Sequence, residues 1–260
     1  MTGHWELNIY LDSGKQSTRT QRANKIFVLK RIIDIAMTAA LMVLMSLQAA
    51  DGTAHEYLGV IFGALVLVHT YLNRCWYFAL FKGKYNFLRI YWTFINLSLM
   101  ICLLINIFSG IIMSESFPAL NIESLTWLAR ISHLSSSYLS FVLMGIHTGL
   151  HFGAISGRIK YLWPALLAII LSGYGLYIFI YQDIPGYITL RNQFAFVDYD
   201  KNFLLAIFEN FSMFSFWVLI GNQSIKILSR KYLSPCVIIA LTVIIYFVFR
   251  IWLGVPENGF

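Results

Sequence analysis

Four histidines carry the chemistry of this chain, through their spacing. His55 and His69 lie fourteen residues apart, and so do His133 and His147. Each pair sits in a stretch apolar enough to cross a membrane. Fourteen helical steps of about 100° return to within about 40° of the starting face, about 21 Å further along the axis. Two such helices side by side offer two facing imidazole pairs, His55 with His133 and His69 with His147, one above the other. Neutral imidazole is a good ligand for haem iron, and two axial histidines leave no open coordination position. That chemistry is electron transfer through a membrane by two non-covalent b-type haems.

A lone histidine in an apolar helix is often a packing residue held by a hydrogen bond. Four at matched depth are harder to explain that way, because an ionisable group in lipid is costly. The residues around them fit a flat cofactor. Gly59 and Gly63 follow His55 at four and eight positions, and Ser137 and Ser140 follow His133 at four and seven. Small residues on these faces would admit a macrocycle, although they also permit ordinary close helix packing. His151 lies one turn beyond His147 and shares its face. Matched depth favours His147 as the ligand and leaves His151 to meet a haem propionate or line a quinone pocket. Arg130, three residues before His133, is a further propionate partner, and Arg74 and Arg158 suit either that role or simple topology signalling.

The elements that must position these residues are membrane helices. The 260-residue chain is 58% hydrophobic and 12% charged, whereas a soluble domain carries about 25% charged residues. Apolar runs at Ile32–Ala50, Tyr57–Leu72, Leu88–Met113, Ile131–Phe152, Tyr161–Tyr181, Phe203–Ile220 and Pro235–Leu253 predict an all-α polytopic bundle of seven spans around a haem-binding core. The expected organisation is a polar leader at 1–26, a two-haem core at 27–157 and additional C-terminal helices at 158–260. The leader has no apolar core of a cleavable signal and reads as partly disordered. The connections 114–124 and 182–202 suit short interfacial helices.

Basic residues cluster before the first span (Lys15, Arg19, Arg22, Lys25, Lys30, Arg31), around the second connection (Arg74, Lys82, Lys84, Arg89), and at Arg158, Lys160, Lys226, Arg230 and Lys231. The alternate loops carry Asp51, Glu56, Glu115, Glu123, Asp183, Asp198, Asp200 and Glu257. The positive-inside rule then puts the N-terminus in the cytoplasm, with the bacterial inner membrane as the location. The net charge of +7 is a membrane collar and calls for lipid, with no nucleic-acid partner. Cys75, Cys102 and Cys236 form no Cys-x-x-Cys-His run, which excludes covalent haem attachment; they read as small buried apolar residues. Asp34 is explained by an i, i+4 pair with Lys30. Glu209 with Asn210 suits a bundle-facing hydrogen bond, or alternatively a proton or quinone site.

His55-Glu-Tyr-Leu-Gly59 followed by His69-Thr-Tyr-Leu-Asn73-Arg-Cys-Trp76, and then His133 to His147-Thr-Gly-Leu-His151-Phe152, resemble the paired signatures of the flavinylation-associated membrane cytochromes. The resemblance spans about Arg31–Gly157, with Phe152 where tryptophan would be expected. It implies a di-haem cytochrome passing electrons between a quinone- or cytoplasmic-side donor and an extracytoplasmic redox protein, often one carrying covalent flavin mononucleotide. This chain has no Ser/Thr-Gly-Ala-Thr flavin attachment run, so any such flavin belongs to the partner. A cytochrome b subunit like those of formate dehydrogenase or nickel–iron hydrogenase is the nearer alternative. A haem-free transporter or metal-ion carrier is the alternative from another class; its compact site would fall on His147 and His151.

Overall fold

The computed structural model describes residues 4–47, 52–115, 122–156, 162–195, 198 and 200–228. Long helices dominate: α1 (His4–Ser46), α2 (Gly52–Leu72), α4 (Phe87–Met113), α5 (Thr126–Ser156), α6 (Leu162–Tyr181) and α8 (Phe203–Leu228). Short helices α3 (Cys75–Ala79) and α7 (Ile184–Ile188) and a 3-10 turn at Glu123–Leu125 occupy the connections. No strand occurs among the described residues.

Four helical segments are long and apolar enough to cross a membrane: Gly52–Leu72, Phe87–Met113, Trp163–Tyr181 and Phe203–Leu228. Their outward faces carry large exposed apolar residues, among them Val60, Leu67, Phe94, Phe108, Ile170 and Leu204, as a lipid-facing surface requires. The segments expected as first and fourth spans are helical but do not join these four. Lys30, Arg31 and Asp34 interrupt α1, and serines and histidines dilute the apolar content of α5. The seventh expected span, together with Cys236 and Arg158, lies outside the described residues. Two further expectations change. The N-terminal leader continues without a break into α1 from His4, and Cys75 is exposed, while Cys102 is buried as anticipated.

α5 is the hub. It packs against α4 on one side and α8 on another; α8 also receives α6 and α1, and α7 lies on α5. The main core joins Met37 and Leu41 of α1, Phe62 of α2, Phe141 of α5, Phe179 of α6 and Met213 of α8. A second cluster joins Ile95 and Cys102 of α4 to Leu143 and Leu150 of α5. In lipid, apolar residues gain little by leaving one greasy phase for another, so helix pairs depend on close backbone approach and interhelical hydrogen bonds. The chain supplies both. Cβ atoms at Gly149, Gly175 and Gly221 would collide with the backbone carbonyls of Val218, Ser212 and Ile146 respectively. Asn210 donates to Ser46 Oγ at 3.0 Å, and Tyr91 donates to Ser224 Oγ at 3.2 Å.

The connections are built by side-chain capping. Asn86 Oδ1 accepts from Arg89 N at 2.8 Å and starts α4. The Arg89 guanidinium donates to the carbonyls of Ala79, Lys82 and Lys84 and lies over the Tyr85 ring. It thereby satisfies carbonyls left open where α3 ends. After α6, Asp183 adopts a left-handed conformation at φ 49° and its carboxylate receives Arg191 and Asn192. Desolvation alone would raise the pKa of Asp183; the hydrogen bonds from Asn192 and Arg191 outweigh it and hold the carboxyl below its usual value. Glu209, buried on α8, accepts from Gln182 at 2.8 Å and from Lys201, which gives it the bundle-facing hydrogen-bonded role expected of it.

α2 stands apart from this scheme. It packs along α1 and has little close backbone contact with α4 or α5, and it is the least enclosed of the four apolar helices. Polar clasps hold it near its ends. Glu56 accepts from Ser114 Oγ at 2.8 Å and from Glu115 N at 2.9 Å, and Lys30 donates to Asn73 Oδ1 at 2.9 Å.

Candidate functional site

Across the gap between α2 and α5 the histidines meet in pairs. The ring centroids of His55 and His133 are 6.4 Å apart with the rings inclined at 68°, and those of His69 and His147 are 6.5 Å apart at 75°. These separations are too long for stacking. An imidazole nitrogen binds a transition metal at about 2.0–2.1 Å, so two imidazoles on opposite sides of one metal put their centroids about 6.3 Å apart. Both pairs therefore stand at the spacing that one shared metal requires.

Hydrogen bonds fix which nitrogen of three rings is protonated. His69 Nδ1 lies 2.8 Å from Asp34 Oδ1, and His147 Nδ1 lies 2.8 Å from Asn96 Oδ1. His133 Nδ1 is 3.2 Å from the Asn106 carbonyl and 3.0 Å from Ser109 Oγ, whose own hydroxyl is committed to the Ile105 carbonyl. Each partner can only accept, so each Nδ1 carries the proton and each Nε2 keeps its lone pair. Metal-binding histidines are oriented in the same way, with the far nitrogen tied to a carboxylate or carbonyl. His55 differs: its Nδ1 is buried without a hydrogen bond, the Leu44 backbone being only a loose neighbour.

The glycines expected to line the site leave it open, since a Cβ at Gly59 or Gly63 would meet nothing within 4 Å. The expected serines do otherwise. Ser137 donates to Asn106 Oδ1 at 3.0 Å, and Ser140 accepts from Asn106 Nδ2 at 3.1 Å, so both bind α5 to α4 instead of bordering the gap. Ser136 also donates to Asn106 Oδ1. Asn106 is thus the polar centre of the α4–α5 contact. Replacing it with leucine is expected to weaken the folded bundle by about 1 kcal/mol, the scale of interhelical hydrogen bonds in membranes. Unfolding of purified Asn106→Leu in mixed detergent micelles measures this, and an unchanged midpoint counts against it.

His151 does not face His69. Its ring lies 4.8 Å from His147 and 4.8 Å from Trp92, and it is exposed. His147 is the member that stands beside His69. Arg130 is exposed and makes no hydrogen bond or ion pair with a described residue. Arg74 stacks on Tyr71 and donates to its carbonyl at 3.3 Å. Among the described residues, no three His, Cys, Asp or Glu side chains converge into a chelating group. A bis-histidine haem site needs only two, because the porphyrin nitrogens supply the remainder.

The Asp34 assignment changes. Asp34 is bonded to His69 across the α1–α2 contact, while Lys30 is turned to Asn73. Asn96, Asn106 and Ser109, which hold His147 and His133, were not anticipated either. Their signal was available: polar residues inside the apolar run 88–113 need partners within the bundle.

No family model matches this chain, and no curated protein or solved structure is significantly similar to it. The chemical reading rests on the geometry and on the sequence signatures.

Proposed function

We propose that the protein is a b-type di-haem membrane cytochrome, an electron-transfer subunit that carries electrons across a bacterial inner membrane. The observation that carries this reading is the pair of facing imidazoles, 6.4 and 6.5 Å apart by centroid, on either side of a gap that Gly59 and Gly63 leave open. The residues fit the cofactor: His55 and His133 would hold one haem, and His69 and His147 the other. Haem would supply a one-electron couple, and two histidines per haem would favour electron transfer over oxygen chemistry.

The chain's own groups do the rest. Asp34, Asn96, Asn106 and Ser109 hold the Nδ1 protons, which leaves each Nε2 lone pair as the metal-facing donor; that of His69 has the Asn73 amide nitrogen 3.4 Å away. Arg130, unengaged among the described residues, suits a propionate at the His55–His133 level. Arg74, Lys82, Lys84 and Arg89 gather at the His69 end, and Glu56, Glu115 and Glu123 at the His55 end. That asymmetry supports a cytoplasmic His69 end and N-terminus, in a seven-span chain. The groove lined by Trp76, Leu80 and Trp92 lies beside His151 and suits a quinone as donor. The flavinylation-associated resemblance supports an extracytoplasmic redox protein as acceptor, in which covalent flavin mononucleotide would reside.

The test is the dithionite-reduced minus oxidised visible spectrum of the full chain purified from haem-replete cells, with haem counted per chain. Two b-type haems are expected. A colourless protein overturns the reading and leaves a transporter or metal-ion carrier.

A further inference from the structure

The four histidines are not equally supported. His133 and His147 lean on neutral oxygens, those of Asn106, Ser109 and Asn96, and His55 Nδ1 makes no hydrogen bond. Glu56 acts on His55 only through space, its own carboxylate accepting from Ser114 and Glu115 N. His69 alone is hydrogen-bonded to a carboxylate, Asp34, at 2.8 Å. Neither nearby cation touches that carboxylate. Lys30 donates to Asn73, and the Arg31 guanidinium lies over the Phe27 ring, 5.0 Å from its centroid. Asn73 also donates to the His69 carbonyl at 2.9 Å, so the turn that carries His69 is held in place independently of Asp34.

A charged acceptor makes a stronger hydrogen bond than a neutral one. On a metal-binding histidine it draws the Nδ1 proton outward and makes Nε2 a more basic donor. A more basic axial ligand, with a negative charge close by, favours ferric over ferrous iron and lowers the reduction potential. The other pair lies about 21 Å along the helix and feels that charge far less, because Coulomb energy falls with distance.

We propose that Asp34 is a positioning residue that makes the His69–His147 haem the lower-potential centre of the two. The inference rests on the di-haem reading and supplies a driving force for its direction, from the His69 end to the His55 end. One electron would pass from the haem held by His69 and His147, which would be oxidised, to the haem held by His55 and His133, which would be reduced. The His69 Nδ1 proton stays on His69 in both states.

The experiment is a spectroscopic redox titration of the full chain in detergent, after its haem has been counted. The native protein should titrate in two steps. His133→Ala, which keeps only the His69–His147 haem, should retain the lower step. Asp34→Asn should move that lower step upward by about tenfold in its reduction equilibrium, or 59 mV for one electron, and leave the upper step in place. Asp34→Glu, which keeps the carboxylate, should restore most of the native value. An unmoved lower step in Asp34→Asn, or a single step in His133→Ala that matches the upper one, overturns the proposal. Should Asp34→Asn lose its haem, the His133→Ala titration alone decides the order of the two centres. A native chain without haem overturns the di-haem reading itself; two haems with the wrong order overturn only the role of Asp34.

Discussion

Alanine at His133 is expected to lower the haem content of the purified chain from two to one, and alanine at His55 to remove the same haem. His69→Ala and His147→Ala should each remove the other. The pairing follows from the rings that face one another across the gap. A haem left with one axial histidine loses half its protein ligation and, in a weakly enclosed gap, is expected to be lost on purification. The fold should survive these changes. The rings are half-buried and belong to neither apolar core cluster, so their removal opens no cavity in the core. Haem per chain, with the visible spectrum of each variant, is the measurement. Full haem content in either His55→Ala or His133→Ala defeats the assignment, as does depletion of different haems by the two.

The second large effect separates packing from cofactor space. At Gly149 a side chain would run into the backbone of α8 at Val218 and Gly221, and backbone cannot rotate away as a side chain can. Gly149→Leu is therefore expected to cost about 3 kcal/mol or more and to lower the melting temperature by roughly 6–12 °C. Gly63→Leu should behave in the opposite way. Its side chain meets nothing near the Cβ position, so the fold is retained while the added bulk enters the space reserved for a macrocycle and haem is lost. Thermal unfolding and haem content, measured on both variants, test the distinction. If Gly63→Leu unfolds the chain as Gly149→Leu does, the gap has no special standing.

The histidine pairing was legible in the sequence because a fourteen-residue spacing is a property of one helix, and two equal spacings must match in depth when the helices run in parallel. That polar residues inside the run 88–113 need partners was legible, but which groups they support was not, for a common reason: each acts across helices. Asp34 has Lys30 one turn away, and local pairing is the natural reading until α2 brings His69 and Asn73 alongside. Ser137 and Ser140 do share a face with His133, yet what that face meets depends on Asn106 of α4. Of the seven apolar runs, four stand as helices long and apolar enough to cross a membrane among the described residues, and the run at 235–253 lies outside them. α5 is long, but its six serines and three histidines lower its hydropathy. The long unbroken α1 was missed because the polar composition at 1–26 argues against packing without excluding helix.

The way α2 is mounted bears on how the chain becomes a finished protein. Its two ends are clasped, by Glu56 to Ser114 and Glu115 and by Asn73 and His69 to Lys30 and Asp34, while Gly59 and Gly63 between them touch nothing on that side. Such a frame sets its own width before anything occupies it. On the di-haem proposal, a flat, apolar cofactor dissolved in the bilayer would slide in sideways between the clasps, with no need to prise two packed helices apart. Maturation would be a lateral docking step within the membrane, completed after the helices have assembled.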